Sequence, residues 1–129
     1  MNGKVLIVDD DAALRRLVAK LIRDTWPLKI LEAEDGLEAL NLLLNGVPDV
    51  GLIILDMMMP KISGPEVLKI IRCRPEFDQV PILACTAVNE SGFIQKLMRH
   101  GIDGYLVKPI DKIAFIKKVF PFVSMAGAK

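Results

Sequence analysis

The chain predicts an α/β fold, a parallel sheet with helices packed on both of its faces. Three observations lead there. Short apolar runs recur, such as Val5-Leu6-Ile7-Val8 and Val50-Gly51-Leu52-Ile53-Ile54-Leu55. They are too short for buried helices and show no polar alternation, which is how strands covered on both faces read. Between them lie stretches with apolar residues at helical spacing. The strand and helix signals alternate five times with short links, and that alternation places helical crossovers between parallel strands.

Taken in order, Val5 to Val8 is a buried strand that ends in Asp9-Asp10-Asp11. A helix follows, with Leu14, Leu17, Val18, Leu21 and Ile22 on one side and Arg15, Arg16, Lys20 and Arg23 on the other. Asp11 or Asp10 can cap it, and Pro27 closes the segment. Lys29 to Ala33 is a second, more polar strand suited to a position nearer the sheet edge. Glu34-Asp35-Gly36 makes a turn, Leu37 to Leu44 a helix, and Asn45-Gly46 a left-handed stop. Val47-Pro48-Asp49 leads into the third strand, which runs from Val50 into Asp56. After the loop Met57-Met58-Met59-Pro60, Ser63 can cap a third helix with Pro65 in its first turn and Val67, Leu68, Ile70 and Ile71 on its apolar face. Arg74 to Gln79 reads as a polar loop and Val80 to Thr86 as the fourth strand. Glu90 to His100 is a helix stopped by Gly101. Tyr105-Leu106-Val107 is a short fifth strand ending in Lys108-Pro109. Ile110 to Val123 carries the last helix, with Asp111 as its cap and Pro121 disturbing its end. Residues from Ser124 to Lys129 read as a tail prone to fray.

One domain accounts for 129 residues. We assign 1–124 to it and 125–129 to the C-terminal tail. The net charge is +1, so no global field recruits nucleic acid or an acidic membrane surface. No apolar run approaches the roughly 18 residues of a membrane span. Nor does the N-terminus read as a signal peptide, so a cytoplasmic location is expected. Cys73 and Cys85, the only two cysteines, form no close ligand pair and read as reduced, small hydrophobes. His100, the only histidine, falls in the last turn of a helix, where a cation suits the dipole.

Function enters at the strand ends. Four of the five strands end in a polar group: Asp9-Asp10, Asp56, Thr86 and Lys108. In a parallel sheet all of these project from the same edge, where open α/β folds bind ligands. At about 5 Å and an effective dielectric near 20, each pair of carboxylates repels by roughly 3 kcal/mol. Lys108 offsets one charge, and a divalent cation answers the rest. Hard oxygen ligands with room for water point to Mg²⁺. Asp56 can then act as a nucleophile that forms an aspartyl phosphate, with Lys108 and Thr86 holding the phosphoryl oxygens.

These motifs are Val8-Asp9-Asp10, Asp56-Met57-Met58-Met59-Pro60 with Gly64 beyond it, Thr86-Ala87, and Tyr105-Leu106-Val107-Lys108-Pro109. With this set the chain resembles the receiver domain of two-component response regulators, the CheY-like family, over nearly its whole length. The resemblance implies a flavodoxin-like, doubly wound sheet of order 2-1-3-4-5 with five helices. It implies that Asp56 is the phosphoacceptor and that Asp9 and Asp10 hold Mg²⁺ together with Asp56 and the backbone carbonyl of Met58. Lys108 matches the lysine that pairs with the phosphoryl group. Thr86 matches the hydroxyl that moves onto that group, and Tyr105 the aromatic that turns inward with it. The Lys108-Pro109 bond is often cis in the family. The triple acid would allow the ligand pair to shift by one, but the strand Val5 to Val8 favours Asp9 and Asp10 and leaves Asp11 to the helix.

The resemblance further implies a regulatory phosphoacceptor rather than an enzyme with external substrates. Its partners would be a sensor histidine kinase or phosphotransfer protein, and an output protein or domain. Met58 and Val88 stand two residues beyond Asp56 and Thr86. In the family those positions flank the water that hydrolyses the phosphoaspartate. Both are apolar here, which implies slow self-dephosphorylation. Phe115, Phe120 and Phe122 read mostly as core. Their excess over one helical face leaves open a contact patch, or a homodimer, through the fourth helix, fifth strand and fifth helix. Two rivals are weaker. A phosphohydrolase working through an aspartyl phosphate usually needs a second acid at the position of Met58, and a receiver without the chemistry would not need the complete set.

Overall fold

The computed structural model describes residues 3–46, 49–88 and 90–127, with side chains through Val123. Five strands, β1 (Lys4–Val8), β2 (Ile30–Ala33), β3 (Val50–Asp56), β4 (Ile82–Thr86) and β5 (Gly104–Val107), form one sheet. Its order is β2-β1-β3-β4-β5 and every pairing is parallel. The helices α1 (Ala12–Thr25), α2 (Gly36–Leu44), α3 (Gly64–Arg72), α4 (Ser91–Arg99) and α5 (Lys112–Gly127) make the crossovers. This is the doubly wound, flavodoxin-like fold expected from the sequence, with the more polar β2 at an edge.

The apolar runs explain the layers. Successive strand residues point to opposite faces. Leu6, Val8, Ile53, Leu55, Ile82 and Ala84 therefore pack with α2, α3 and α4. Val5, Ile7, Leu52, Ile54, Leu83 and Cys85 pack with α1 and α5. Such strands have no polar side to show, because both sides are core.

Local chemistry sets the helix starts. The Asp11 carboxylate accepts the N–H groups of Ala13 and Leu14 and caps α1. Ser63 and Glu66 form a reciprocal capping box on α3, with Pro65 in its first turn. The Asp111 carboxylate accepts the N–H of Ala114 at 2.9 Å. Asp35, placed in a turn from the sequence, instead caps α2 through the Glu38 N–H, so Gly36 is the first helical residue.

Several expectations need correction. The polar loop after α3 contains a 3₁₀ turn at Pro75–Phe77. Pro121 lies inside α5, which runs on to Gly127 and takes in most of the expected tail. The helix tolerates it because Phe115, Val119 and Val123 form a buried stripe, while Pro121 and Lys117, one turn earlier, are exposed residues. Phe120 sits on that same exposed side, 55% accessible, rather than in the core. The Val47-Pro48 lead-in and the last two residues fall outside the described residues.

At the amino-terminal edge of β4 a single side chain ties several segments together. The Arg72 guanidinium donates to the carbonyls of Gly101, Phe77 and Val80 at 2.9, 2.8 and 2.8 Å, and to the Asp103 carboxylate at 3.0 Å. Asp103 in turn accepts the N–H of Ile82, the first residue of β4. This end of the fold is closed by hydrogen bonds, at the edge opposite the carboxyl ends of the strands.

Candidate functional site

The chain leaves β1 on one side to reach β2 and returns to β3 on the other. The crevice between the carboxyl ends of β1 and β3 is the switch point where such sheets bind ligands. Asp9 follows β1 and Asp56 closes β3, and both are buried, Asp56 to 1% exposure. Asp10 is exposed beside them. One carboxylate oxygen from each of the three lies within 4.8 Å of the others.

Gly64 allows Asp56 to sit where it does. A Cβ there would stand 2.3 Å from the Asp56 carbonyl oxygen and 2.5 Å from the Met57 Cα. Only glycine lets α3 begin against the end of β3.

The two Asp56 oxygens differ. Oδ1 accepts the Met58 N–H at 3.1 Å and the Lys108 ammonium at 3.0 Å. Oδ2 is buried and has no hydrogen-bond partner among the described residues. Buried polar atoms without a partner are rare, because leaving one unpaired costs about 1–3 kcal/mol. Lys108 also lies 3.6 Å from Asp9 Oδ2. One ammonium thus serves two buried carboxylates.

The protonation equilibria follow from this. Burial pushes the Asp56 carboxyl up to about 6, outweighing the Lys108 and Met58 hydrogen bonds, and the Asp9 charge adds to the rise. Burial works against the Lys108 ammonium, but the hydrogen bond and charge of Asp56, with Asp9 behind, carry its pKa above the ordinary lysine value. Cys85 stands opposite Asp56 on β4, and burial pushes its thiol up to about 12. It is a packed hydrophobe, as expected, and no nucleophile. Three carboxylates against one ammonium, an orphaned oxygen and an all-oxygen donor set fit a hard divalent cation.

The remaining predicted residues are placed as follows. Thr86 is fully buried, and its hydroxyl accepts the Val88 N–H at 3.0 Å and donates to the Val88 carbonyl at 3.2 Å. Tyr105 is half-buried, with the Lys118 ammonium 4.7 Å from its ring centre. It helps line a shallow cavity of about 240 Å³ with Val107, Ile110 and Phe115. The Lys108-Pro109 bond is cis. His100 terminates α4 as its C-cap.

One residue was assigned to a solvated helix face and is not there. The side chain of Arg15 is 15% exposed and folds back to the end of β1 and onto Glu32 of β2. Its partners are set by packing, and only the charged residue in the edge strand signalled them.

The family described as response regulator receiver domain matches residues 5–120. The chain belongs to that family. Receivers of this kind are regulatory modules of two-component and chemotaxis signalling, and the present one is CheY-like throughout. It is 37% identical over 118 residues to chemotaxis protein CheY-3 of Vibrio cholerae, covering 92% of this chain and 89% of that protein. The high resolution structure of the chemotaxis response regulator CheY4 of Vibrio cholerae superposes with a TM-score of 0.85 at 30% identity, covering 95% of this receiver and 99% of that chain. The Mn(2+)-bound form of response regulator Rcp1 superposes with a TM-score of 0.77 at 27% identity, covering 89% and 87%. No helix among the described residues of the receiver is long and apolar enough to cross a membrane.

Proposed function

We propose that this receiver is a phosphorylation-controlled switch whose phosphoacceptor is Asp56. The observation that carries the reading is the contrast between the two Asp56 oxygens, one held by Lys108 and Met58 and the other buried without a partner. A carboxylate fixed by one oxygen presents the other as the nucleophile. Oδ2 forms a bond to phosphorus as the bond from phosphorus to the donor breaks. With a phosphohistidine donor the electron pair and a proton end on the imidazole. A sensor histidine kinase or a phosphotransfer protein would bring that donor.

Asp9, Asp10, Asp56 and the Met58 carbonyl would hold Mg²⁺, which when bound supplies positive charge against the phosphoryl oxygens. That a relative has an Mn(2+)-bound form supports divalent-ion binding by this receiver. Lys108, already 3.0 Å from Asp56, holds a phosphoryl oxygen without needing to move far. Thr86 must exchange its Val88 partners for the phosphoryl group, and Tyr105 can then move into the space released. This two-state region would alter the face formed by α4, β5 and α5, which meets the output protein or domain. A homodimer through that face is a further form of the same output. The location is cytoplasmic, and no direct contact with nucleic acid or membrane is involved.

Incubation with acetyl phosphate followed by intact-mass measurement tests the reading. We expect a Mg²⁺-dependent gain of one phosphoryl group that is absent from Asp56→Asn. A gain retained in the variant would overturn it, and no gain in either protein would point to strict dependence on a protein donor or to a receiver whose matching residues no longer do the chemistry. The lifetime of the product is a separate expectation. Met58 is 66% exposed and Val88 offers its backbone to Thr86, so neither side chain has a polar group to orient an attacking water. The phosphoryl group should persist for minutes or longer at neutral pH with Mg²⁺. A half-life of seconds would contradict this account.

A further inference from the structure

Asp9 is held at every polar atom. Its N–H donates to the Ala33 carbonyl at 3.1 Å. Its Oδ1 accepts the Asp11 N–H at 2.8 Å, and its Oδ2 faces Lys108. Its carbonyl accepts Nη1 of Arg15 at 2.8 Å. That carbonyl belongs to the peptide joining Asp9 to Asp10. The Asp10 side chain is exposed and has no hydrogen-bond partner among the described residues. With no partner of its own, it depends for the placement of its backbone on the peptide plane that Arg15 holds. Arg15 is itself held, because its Nε donates to Glu32 Oε1 at 2.9 Å.

We propose that Arg15, braced by Glu32 on the edge strand, is a positioning residue for the divalent-cation site, orienting the Asp9-Asp10 peptide so that both acids converge with Asp56. This rests on the reading of those three acids as cation ligands. Two effects of Arg15 oppose each other. Its charge repels a cation, while its hydrogen bond pre-sets the ligand geometry. Glu32, in ion-pair contact, cancels most of the repulsion beyond the pair, so the geometric effect wins. Lysine cannot replace it. One ammonium lacks the fixed fork of donors that reaches a carbonyl and a carboxylate together.

The two effects predict opposite signs, which makes the proposal testable by calorimetric titration of Mg²⁺ into the full chain, alongside urea unfolding. Arg15→Ala should weaken Mg²⁺ binding about tenfold, the usual scale for a residue that supports a metal ligand. Arg15→Lys keeps the charge and the fold but loses the fork, and should weaken binding several-fold. A role through charge alone would make Arg15→Ala bind more tightly and leave Arg15→Lys unchanged, and either result overturns the proposal. So does a lowered unfolding midpoint with an unaltered Kd, which would mark Arg15 as merely structural. If Arg15→Ala fails to fold, Arg15→Lys decides by the same criterion. Asp56→Asn separates the two levels. Were wild type to bind Mg²⁺ no better than Asp56→Asn, the cation-site reading itself would fall and this inference with it. Wild-type binding that both Arg15 variants match would remove only the role of Arg15.

Discussion

Replacing Asp56 by Asn is expected to stabilise the metal-free protein at pH 7 by about 2–3 kcal/mol. The folded protein holds this carboxyl at about 6, against an ordinary value of 3.8. A carboxyl whose pKa is raised on folding binds its proton more tightly in the native state. Its favourable contribution is complete below about pH 4 and is lost as pH rises through about 6. Above that, the native state carries a buried anion that Lys108, shared with Asp9, does not fully offset. Urea unfolding of metal-free wild type should therefore show stability falling between about pH 4 and pH 6, and Asp56→Asn should flatten that slope. Mg²⁺ should stabilise wild type at pH 7 far more than the variant. A metal-free wild type as stable as Asp56→Asn at pH 7 would show that Asp56 bears no such load. Under the proposed function the instability has a sense: a carboxylate too well satisfied would be a poor nucleophile.

Arg72→Ala is expected to lower stability by about 3 kcal/mol, or roughly 10 °C in melting midpoint. The side chain is 18% exposed and donates to three backbone carbonyls and one carboxylate. Hydrogen bonds from a charged donor are worth about 1.5–3 kcal/mol each, and water entering the gap recovers part of what is lost. Arg72→Lys should rescue little, since one ammonium cannot reach carbonyls on three segments. Denaturant unfolding checks the magnitude, and phosphoryl uptake from acetyl phosphate should persist under folding conditions because Arg72 lies at the opposite edge from Asp56. A loss below about 1 kcal/mol would mean that the three loops hold without the clamp.

The architecture was readable because its signals are local. Strand runs such as Val5 to Val8 announce two-sided burial within a few residues. Asp11, Ser63 and Asp111 announce helix starts through bonds to backbone two or three residues away. The convergence of Asp9, Asp10, Asp56 and Lys108 followed from topology alone, since parallel strands deliver their ends to one edge. Pro121 and Phe120 were misjudged for the complementary reason. Whether a proline ends a helix, or a phenylalanine is buried, depends on which side of α5 meets the sheet.

By itself, then, the sequence determined the order of elements, the family and the set of groups at the edge that carries the candidate site. The tertiary structure alone decided how those groups are held. It left one oxygen of Asp56 without a partner, turned the Thr86 hydroxyl onto Val88, and tied the half-buried Arg15 and Arg72 into bonds spanning 17 and 29 residues of chain. Periodicity and capping act over one or two turns, so sequence carries them. A long side chain chooses its partners among groups brought together only when the helices have packed on the sheet.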